Sequence, residues 1–319
     1  MSTPSADRPL KIGTRGSPLA LAQAYETRTR LMAAHGLPQD AFEICVIKTT
    51  GDDRTLIDAD IALKTIGNKG LFTKEIEDAM LAERIDIAVH STKDMPTVQP
   101  EGLVLETFLP REDVRDAFVT LGARTLAEMP KGAVVGTSSL RRRAQLLNKR
   151  PDLELVEFRG NVQTRLKKLE AGTAEGTFLA MAGLNRLEMD DVPKQPVPEN
   201  EMLPAVAQGT IGIECRSADD GVKALLAAIH HAPTGQRLAA ERAFLKTLDG
   251  SCETPIAALA ELDGGTLRLR GEILRPDGSE RLSDEVSGPV GQGAAMGVQL
   301  AQGLLSRAAP DFFSWRALA

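Results

Sequence analysis

Short apolar runs alternate with amphipathic stretches along most of the chain. Leu10 to Thr14 is an apolar run of strand length, and Ser17-Pro18 then opens LALAQAYETRTRLMAAH, which stops at Gly36. Serine as N-cap, proline at the first helical position and glycine past the end are the signals of a helix. Phe42 to Thr49 predicts a second strand, and Thr73 to Arg84 an amphipathic helix leading into IDIAVHSTKDMP, an apolar strand from Ile85 that ends abruptly in polar residues. LVLETFL and RDAFVT predict two more strands, with a hinge near Pro110.

The pattern then repeats. VVGT, LELVEF and TFLAMAG predict strands alternating with helices that begin at Ser138 or Ser139, near Asn161 and near Gly183, a second βαβ unit with a parallel sheet. DDVPKQPVPENEMLP reads as an irregular connector, and TIGIECR as a strand that rejoins the first sheet. Helices are predicted over Asp220 to His230 and Gln236 to Leu248, and IAALAEL, TLRLRGEIL and SERLSDEV alternate like an antiparallel sheet closed by one helix within Ala294 to Ala308. The expected class is α/β, with domain 1 at 1–108 plus 206–228, domain 2 at 109–205, and a small α+β domain 3 at 229–319.

At 319 residues core size is no limitation, and a formal net charge of -6 argues against a general nucleic-acid or membrane-surface protein. No run of about 18 apolar residues is present, and the N-terminus has no apolar leader segment. Cys45, Cys215 and Cys252 show neither close pairing nor metal-finger spacing, so a reducing cytosol is expected, without disulfides or structural zinc. Cys45 and Cys215 lie in apolar strands and read as structural, and His90 reads as core.

Candidate chemistry gathers just past strand ends, where ligands of open α/β sheets bind. Ser91, Lys93 and Asp94 follow one strand, and Arg15 and Ser17 sit at a helix N-terminus suited to a carboxylate or phosphate. GTSSLRRRAQLL brings Thr137, Ser138 and Ser139 against Arg141, Arg142 and Arg143; Arg159, Arg165 and Arg186 follow later strands. Residues 137–186 hold seven Arg and three Lys against five acids, so a basic segment within an acidic chain implies a polyanionic ligand. Lys64 and Lys69 lie in a glycine-bearing stretch, KTIGNKGLF, expected to be a mobile loop that folds over an anion, although the GxxxxGK[ST] phosphate-loop spacing is absent. Cys252, in the loop DGSCETP, reads either as a small buried residue or as an attachment point. Two non-enzymatic readings remain: a two-lobed carboxylate-binding sensor or carrier, and RNA binding through the basic segment, which 3% aromatic content disfavours.

In order along nearly the whole chain, GTRGSPLALAQ, GNKGLFTKEIE, DIAVHSTKDMP, REDVRDAFV, GTSSLRRRAQL, FRGNVQTRL, LAMAGLNRL, LPAVAQGTIGIECR and GSCETPI resemble the porphobilinogen deaminase (hydroxymethylbilane synthase) family. That resemblance implies two similar lobes like those of periplasmic binding proteins plus a C-terminal domain, with the active site between the lobes. It implies a transferase of haem and tetrapyrrole biosynthesis that uses neither metal nor nucleic acid; a cytoplasmic protein is expected from the cysteines, and a monomer is the favoured oligomeric state. Its substrate would be porphobilinogen, four molecules of which are added to a dipyrromethane cofactor held by a thioether on Cys252. Asp94 matches the catalytic carboxylate. Ser17, Lys93, Asp94, Thr137, Ser139, Arg141, Arg142, Arg165 and Gln208 match cofactor-binding positions, and Arg15, Ser17, Ser91, Arg159, Arg165 and Arg186 substrate-binding ones. The chain departs from the family where it has Thr65 and Asn68 in the glycine loop, Ala207 in place of a common glycine, and Ser251 before the cysteine.

Overall fold

The computed structural model describes residues 3–50, 73–122, 125–250 and 254–315. The predicted loop with Lys64, Thr65, Gly67, Asn68, Lys69 and Gly70, and the segment with Ser251 and Cys252, lie outside the described residues. The chain divides into two compact units, the first within Met1–Leu56, Lys69–Glu112 and Gly209–Gly235, the second chiefly within Asp113–Gln208 and Gln236–Ala319.

In the first unit, β1 (Leu10–Thr14), β2 (Phe42–Val46), β3 (Ile87–Ser91) and β4 (Leu103–Phe108) share a sheet with the returning strand β10 (Ile211–Arg216). The order is β2-β1-β3-β10-β4, with β1 parallel to β2 and β3, and β10 antiparallel to β3 and β4. TIGIECR therefore rejoins the first sheet as its sequence predicts. Helix α1 (Pro18–His35) begins at Ser17, whose Oγ accepts from Ala20 N, and ends at Gly36 in the left-handed conformation with φ 63°. Helix α2 (Lys74–Leu81) precedes β3, and α6 (Asp220–Ala227) follows β10. Leu10, Ile12, Leu31, Ile87, Val89, Ile211 and Ile213 form the core, each fully buried aliphatic side chain contributing about 1.5–3 kcal/mol relative to exposure. The strand predicted to Thr49 ends at Val46, which is exposed, although Ile47 beyond it still packs against the cluster of Ile76, Met80 and Ile85.

The second unit holds β5 (Asp116–Val119), β6 (Val134–Gly136), α3 (Leu140–Lys149), β7 (Glu154–Val156), α4 (Val162–Glu170), β8 (Gly176–Ala180), α5 (Met181–Arg186) and β9 (Lys194–Pro196). Its sheet runs β7-β6-β8-β5-β9. Two expectations are corrected here. The sheet is mixed rather than parallel, because β5 pairs antiparallel with β8 and β9, and the proline-rich connector supplies β9. Proline is compatible with that short strand because β9 has a neighbour on one side only. The run TFLAMAG also divides earlier than expected, with helix from Met181.

The same unit contains α7 (Ala232–Thr247), which begins within the first unit's last residues, then the meander β11 (Ile256–Asp263), β12 (Thr266–Leu274), β13 (Arg281–Pro289) and α8 (Gly293–Arg307). The fold is thus α/β in two lobes of matching strand order, with a C-terminal three-stranded sheet and helices. Among the described residues no helix is long and apolar enough to cross a membrane.

Candidate active site

In the first unit β1 and β3 are neighbours and parallel, Ile12 opposite Ile87, so both run out at the same sheet edge. Arg15 and Ser17 follow β1 there, and Ser91 closes β3 before a single 3-10 turn, Thr92–Asp94, that carries Lys93 and Asp94. The candidate acid and its predicted neighbours in this unit are therefore gathered at the carboxyl ends of adjacent strands. Gln23 joins them from α1: it is buried, and its Nε2 donates to Ser91 Oγ at 2.9 Å. Sequence reasoning missed Gln23, although a signal existed. It shares the buried helix face of Ala20, Ala24, Thr27 and Leu31, where a polar side chain needs a partner.

Behind the edge lies a buried polar pair. His90 Nε2 is 3.0 Å from Glu214 Oε2 on β10, so the histidine read as core packing is buried but also paired with a carboxylate. Glu77 on α2 approaches this pair, and burial, then the charge of Glu214, push its carboxyl above the ordinary range. Burial pushes the Cys215 thiol up to about 11 and raises that of Cys45, which leaves little thiolate at either.

In the second unit β6, β7 and β8 are parallel, so residues after each share one edge. Gly136 ends β6 where a Cβ would lie 2.3 Å from the Phe158 ring, an approach only glycine allows. Ser139 caps α3 by accepting from Arg142 N, Ser138 Oγ accepts from Phe158 N at 2.9 Å, and Asn161 caps α4. Thr137 and Ser139 therefore lie at one helix entrance, beside the Arg159 turn. Arg165 Nε donates to Gly160 O at 3.0 Å, and Arg186 closes α5.

Arg141 and Arg142 turn inward. Both are buried and converge on Asp116 at the start of β5: Arg141 Nη1 donates to Oδ2 at 2.8 Å, and Arg142 donates to Oδ1 from Nη2 at 2.7 Å and Nε at 3.1 Å. Arg142 Nη1 also donates to Phe178 O, and Arg141 Nη1 to Gln145 Oε1 and Leu203 O. Gln208, another predicted residue, donates to Asp116 Oδ1 at 3.1 Å. Asp116 and Gln145 were not foreseen. Burial alone would raise the Asp116 carboxyl, but the two guanidiniums overcome it and hold the group well below the usual carboxylate range. Among the described residues Arg141 Nε is buried without a hydrogen-bond partner. An orphaned guanidinium donor in a buried arginine cluster fits an anionic, carboxylate-bearing group.

A family described as porphobilinogen deaminase, dipyromethane cofactor binding domain, matches residues 10–224, and its C-terminal domain matches residues 236–306. The curated porphobilinogen deaminase of Paracoccus denitrificans is 66% identical over 312 residues, covering 98% of each chain. Among solved structures, the VFT2 domain of Bordetella pertussis BvgS aligns at a TM-score of 0.43 and 13% identity over 74% of this chain and 93% of that one. The probable amino-acid transporter binding protein ytmK of Bacillus subtilis aligns at 0.42 and 11% over 73% and 96%. With both family domains matched in order and a relative of that identity along almost its full length, the chain belongs to the porphobilinogen deaminase family.

Proposed function

We propose that this chain is the transferase that joins four porphobilinogen molecules head to tail onto a covalently held dipyrromethane and releases hydroxymethylbilane. Four ammonia molecules leave and one water enters over the full cycle. The observation that carries the reading is the gathering of Ser91, Lys93 and Asp94 at one sheet edge and of Thr137, Ser139 and the Asp116-clamped arginines at another, in a chain of this family. Every ring of substrate and cofactor bears an acetate and a propionate, which is what recurring arginines past strand ends are suited to hold.

In this reading Cys252 holds the dipyrromethane by a thioether, and Ser17, Lys93, Asp94, Thr137, Ser139, Arg141, Arg142, Arg165 and Gln208 surround it. When bound, the group supplies the pyrrole carbon to which the first substrate unit is attached. Arg15, Ser17, Ser91, Arg159, Arg165 and Arg186 hold carboxylates of incoming units. Asp94 accepts hydrogen bonds from pyrrole N–H groups and stabilises positive charge as ammonia departs. Gln23 fixes the Ser91 hydroxyl, and Asp116 fixes the direction of two guanidiniums. Three domains, at 1–108 with 206–228, 109–205 and 229–319, acting as a cytoplasmic monomer without nucleic acid or membrane, complete the proposal.

The test is the intact mass of the purified protein and of Cys252→Ala, each before and after porphobilinogen. The expected result is an excess of two pyrrole units, absent from the variant, followed by single-unit steps with substrate. A bare sequence mass that stays bare would overturn the enzyme reading and favour a carboxylate carrier, the reading the family does not support.

A further inference from the structure

We propose that Glu272, on β12 of the C-terminal sheet, is a positioning residue for Arg141, acting through Gln145. The inference rests on the reading above, in which Arg141 serves a ring carboxylate. Four buried side chains form one continuous line. Glu272 Oε1 accepts from Gln145 Nε2, Gln145 Oε1 accepts from Arg141 Nη1 at 2.9 Å, and the same Nη1 reaches Asp116 Oδ2 at 2.8 Å. Beyond Glu272 the line ends in Arg281, whose Nε donates to Oε2 at 2.6 Å.

The chemistry of the amide makes this line directional. Gln145 has one acceptor end and one donor end, and it sits between a cation and an anion. Only one orientation satisfies both neighbours; the reverse would set its NH2 against a guanidinium and its oxygen against a carboxylate in a dry interior. Glu272, together with the Leu203 carbonyl that accepts from Gln145 Nε2 at 2.9 Å, thus selects the amide orientation, and the amide oxygen takes up Arg141 Nη1. Within this line the Arg141 Nε is the one buried nitrogen without a partner among the described residues, so holding Nη1, from which the Leu203 carbonyl also accepts at 3.0 Å, restrains the direction in which Nε is offered. Glu272 also stands opposite Ala257 on β11, the strand that begins four residues after Cys252 in sequence. One sheet therefore carries both the strand next to the attachment cysteine and the residue that orients the arginine.

The experiment uses the holoenzyme and compares Gln145→Glu, Glu272→Gln and the two together, with Asn148→Ala as a control. Asn148 lies on the same helix and ties it to the β12–β13 turn through Gly278 O at 2.8 Å, without touching the line. Gln145→Glu sets carboxylate against carboxylate; the double variant restores a carboxylate–amide pair. Readouts are KM and kcat for porphobilinogen, the mass distribution of elongation intermediates, and the thermal midpoint. Gln145→Glu is expected to raise KM by about tenfold and to accumulate early intermediates, the scale found for residues that orient a ligating group, with the double variant returning to within roughly threefold of wild type. Asn148→Ala is expected to lower the thermal midpoint with KM unchanged. If Gln145→Glu fails to fold, Glu272→Gln alone carries the comparison, with the same direction of change expected. Wild-type KM and intermediates in Gln145→Glu, a double variant as impaired as the single, or an equal KM change in Asn148→Ala would each overturn the inference. Arg141→Lys separates the two levels: an unchanged KM there would sink the underlying assignment of Arg141, whereas a raised KM there beside an unaffected Gln145→Glu would sink the positioning role alone.

Discussion

The two five-stranded sheets have matching order, β2-β1-β3-β10-β4 against β7-β6-β8-β5-β9, three parallel strands followed by an antiparallel one and an edge. Each contains, second in its sheet order, a strand that runs into Gly-Thr and a serine-capped helix, Gly13-Thr14 with Ser17 and Gly136-Thr137 with Ser139. Each also buries a carboxylate on its antiparallel strand. In the first lobe that is Glu214, opposite Ala88 in mid-strand, paired with His90 and near Glu77, whose carboxyl is raised. In the second it is Asp116, opposite Ala180 at the strand end, held low by two arginines. Common topology places an acid on the same strand of each sheet. Its neighbours decide whether nearby acids favour a proton or are kept ionised, and only the second lobe sets its acid at the edge where the candidate residues gather.

Breaking the second lobe's cluster should have the largest effect. Asp116→Asn leaves two guanidiniums buried against one neutral amide, and removing one partner of a buried pair costs about 3–5 kcal/mol, read from urea unfolding. Because the folded Asp116 carboxyl is depressed, its contribution is present above the unfolded carboxylate value and is lost as pH falls through the lower folded value. The gap between variant and wild type should therefore hold from neutrality down to about pH 4 and close only below it. An Asn variant of wild-type stability would contradict the assigned role.

Asp94→Ala tests the first lobe's edge by a different measure. Turnover should fall about 10²–10³-fold, with the unfolding midpoint little changed, since the residue is assigned to charge stabilisation in the reaction rather than to the core. Near-normal turnover would remove Asp94 from the chemistry. A smaller effect sharpens the comparison further. Burial first and Glu214 second raise the folded Glu77 carboxyl, so its contribution is fully present below the unfolded value and lost as pH rises through the folded one. Glu77→Gln should accordingly melt higher than wild type at pH 8, by roughly 2 °C, and show no advantage at pH 4. A difference independent of pH would refute the raised carboxyl. The smallest effect is expected at Ala207, which holds φ 62° while its N–H donates to the buried Glu241 at 2.7 Å. Ala207→Gly should stabilise by up to about 1 kcal/mol by removing left-handed strain, and a lower thermal midpoint would show that the strain is absent.

Much was legible along the chain because its causes are local. Ser17, Ser139 and Asn161 cap helices where serine and asparagine precede apolar periodicity, and Arg15, Lys93, Asp94, Thr137 and Arg186 lie past strands that hydrophobic runs announce. The family motifs located the same residues independently. What stayed hidden depends on separation in sequence. Gln23 meets Ser91 across 68 positions, Gln208 meets Asp116 across 92, and Gln145 meets Glu272 across 127. No periodicity records which distant polar groups share a dry interior. The sequence by itself determined the elements, their caps and the strand ends at which charged residues gather. Tertiary structure alone decided that Arg141 and Arg142 are clamped on a buried Asp116 and that the proline-rich connector closes a sheet, because long-range pairing and desolvation arise only when remote segments are packed together.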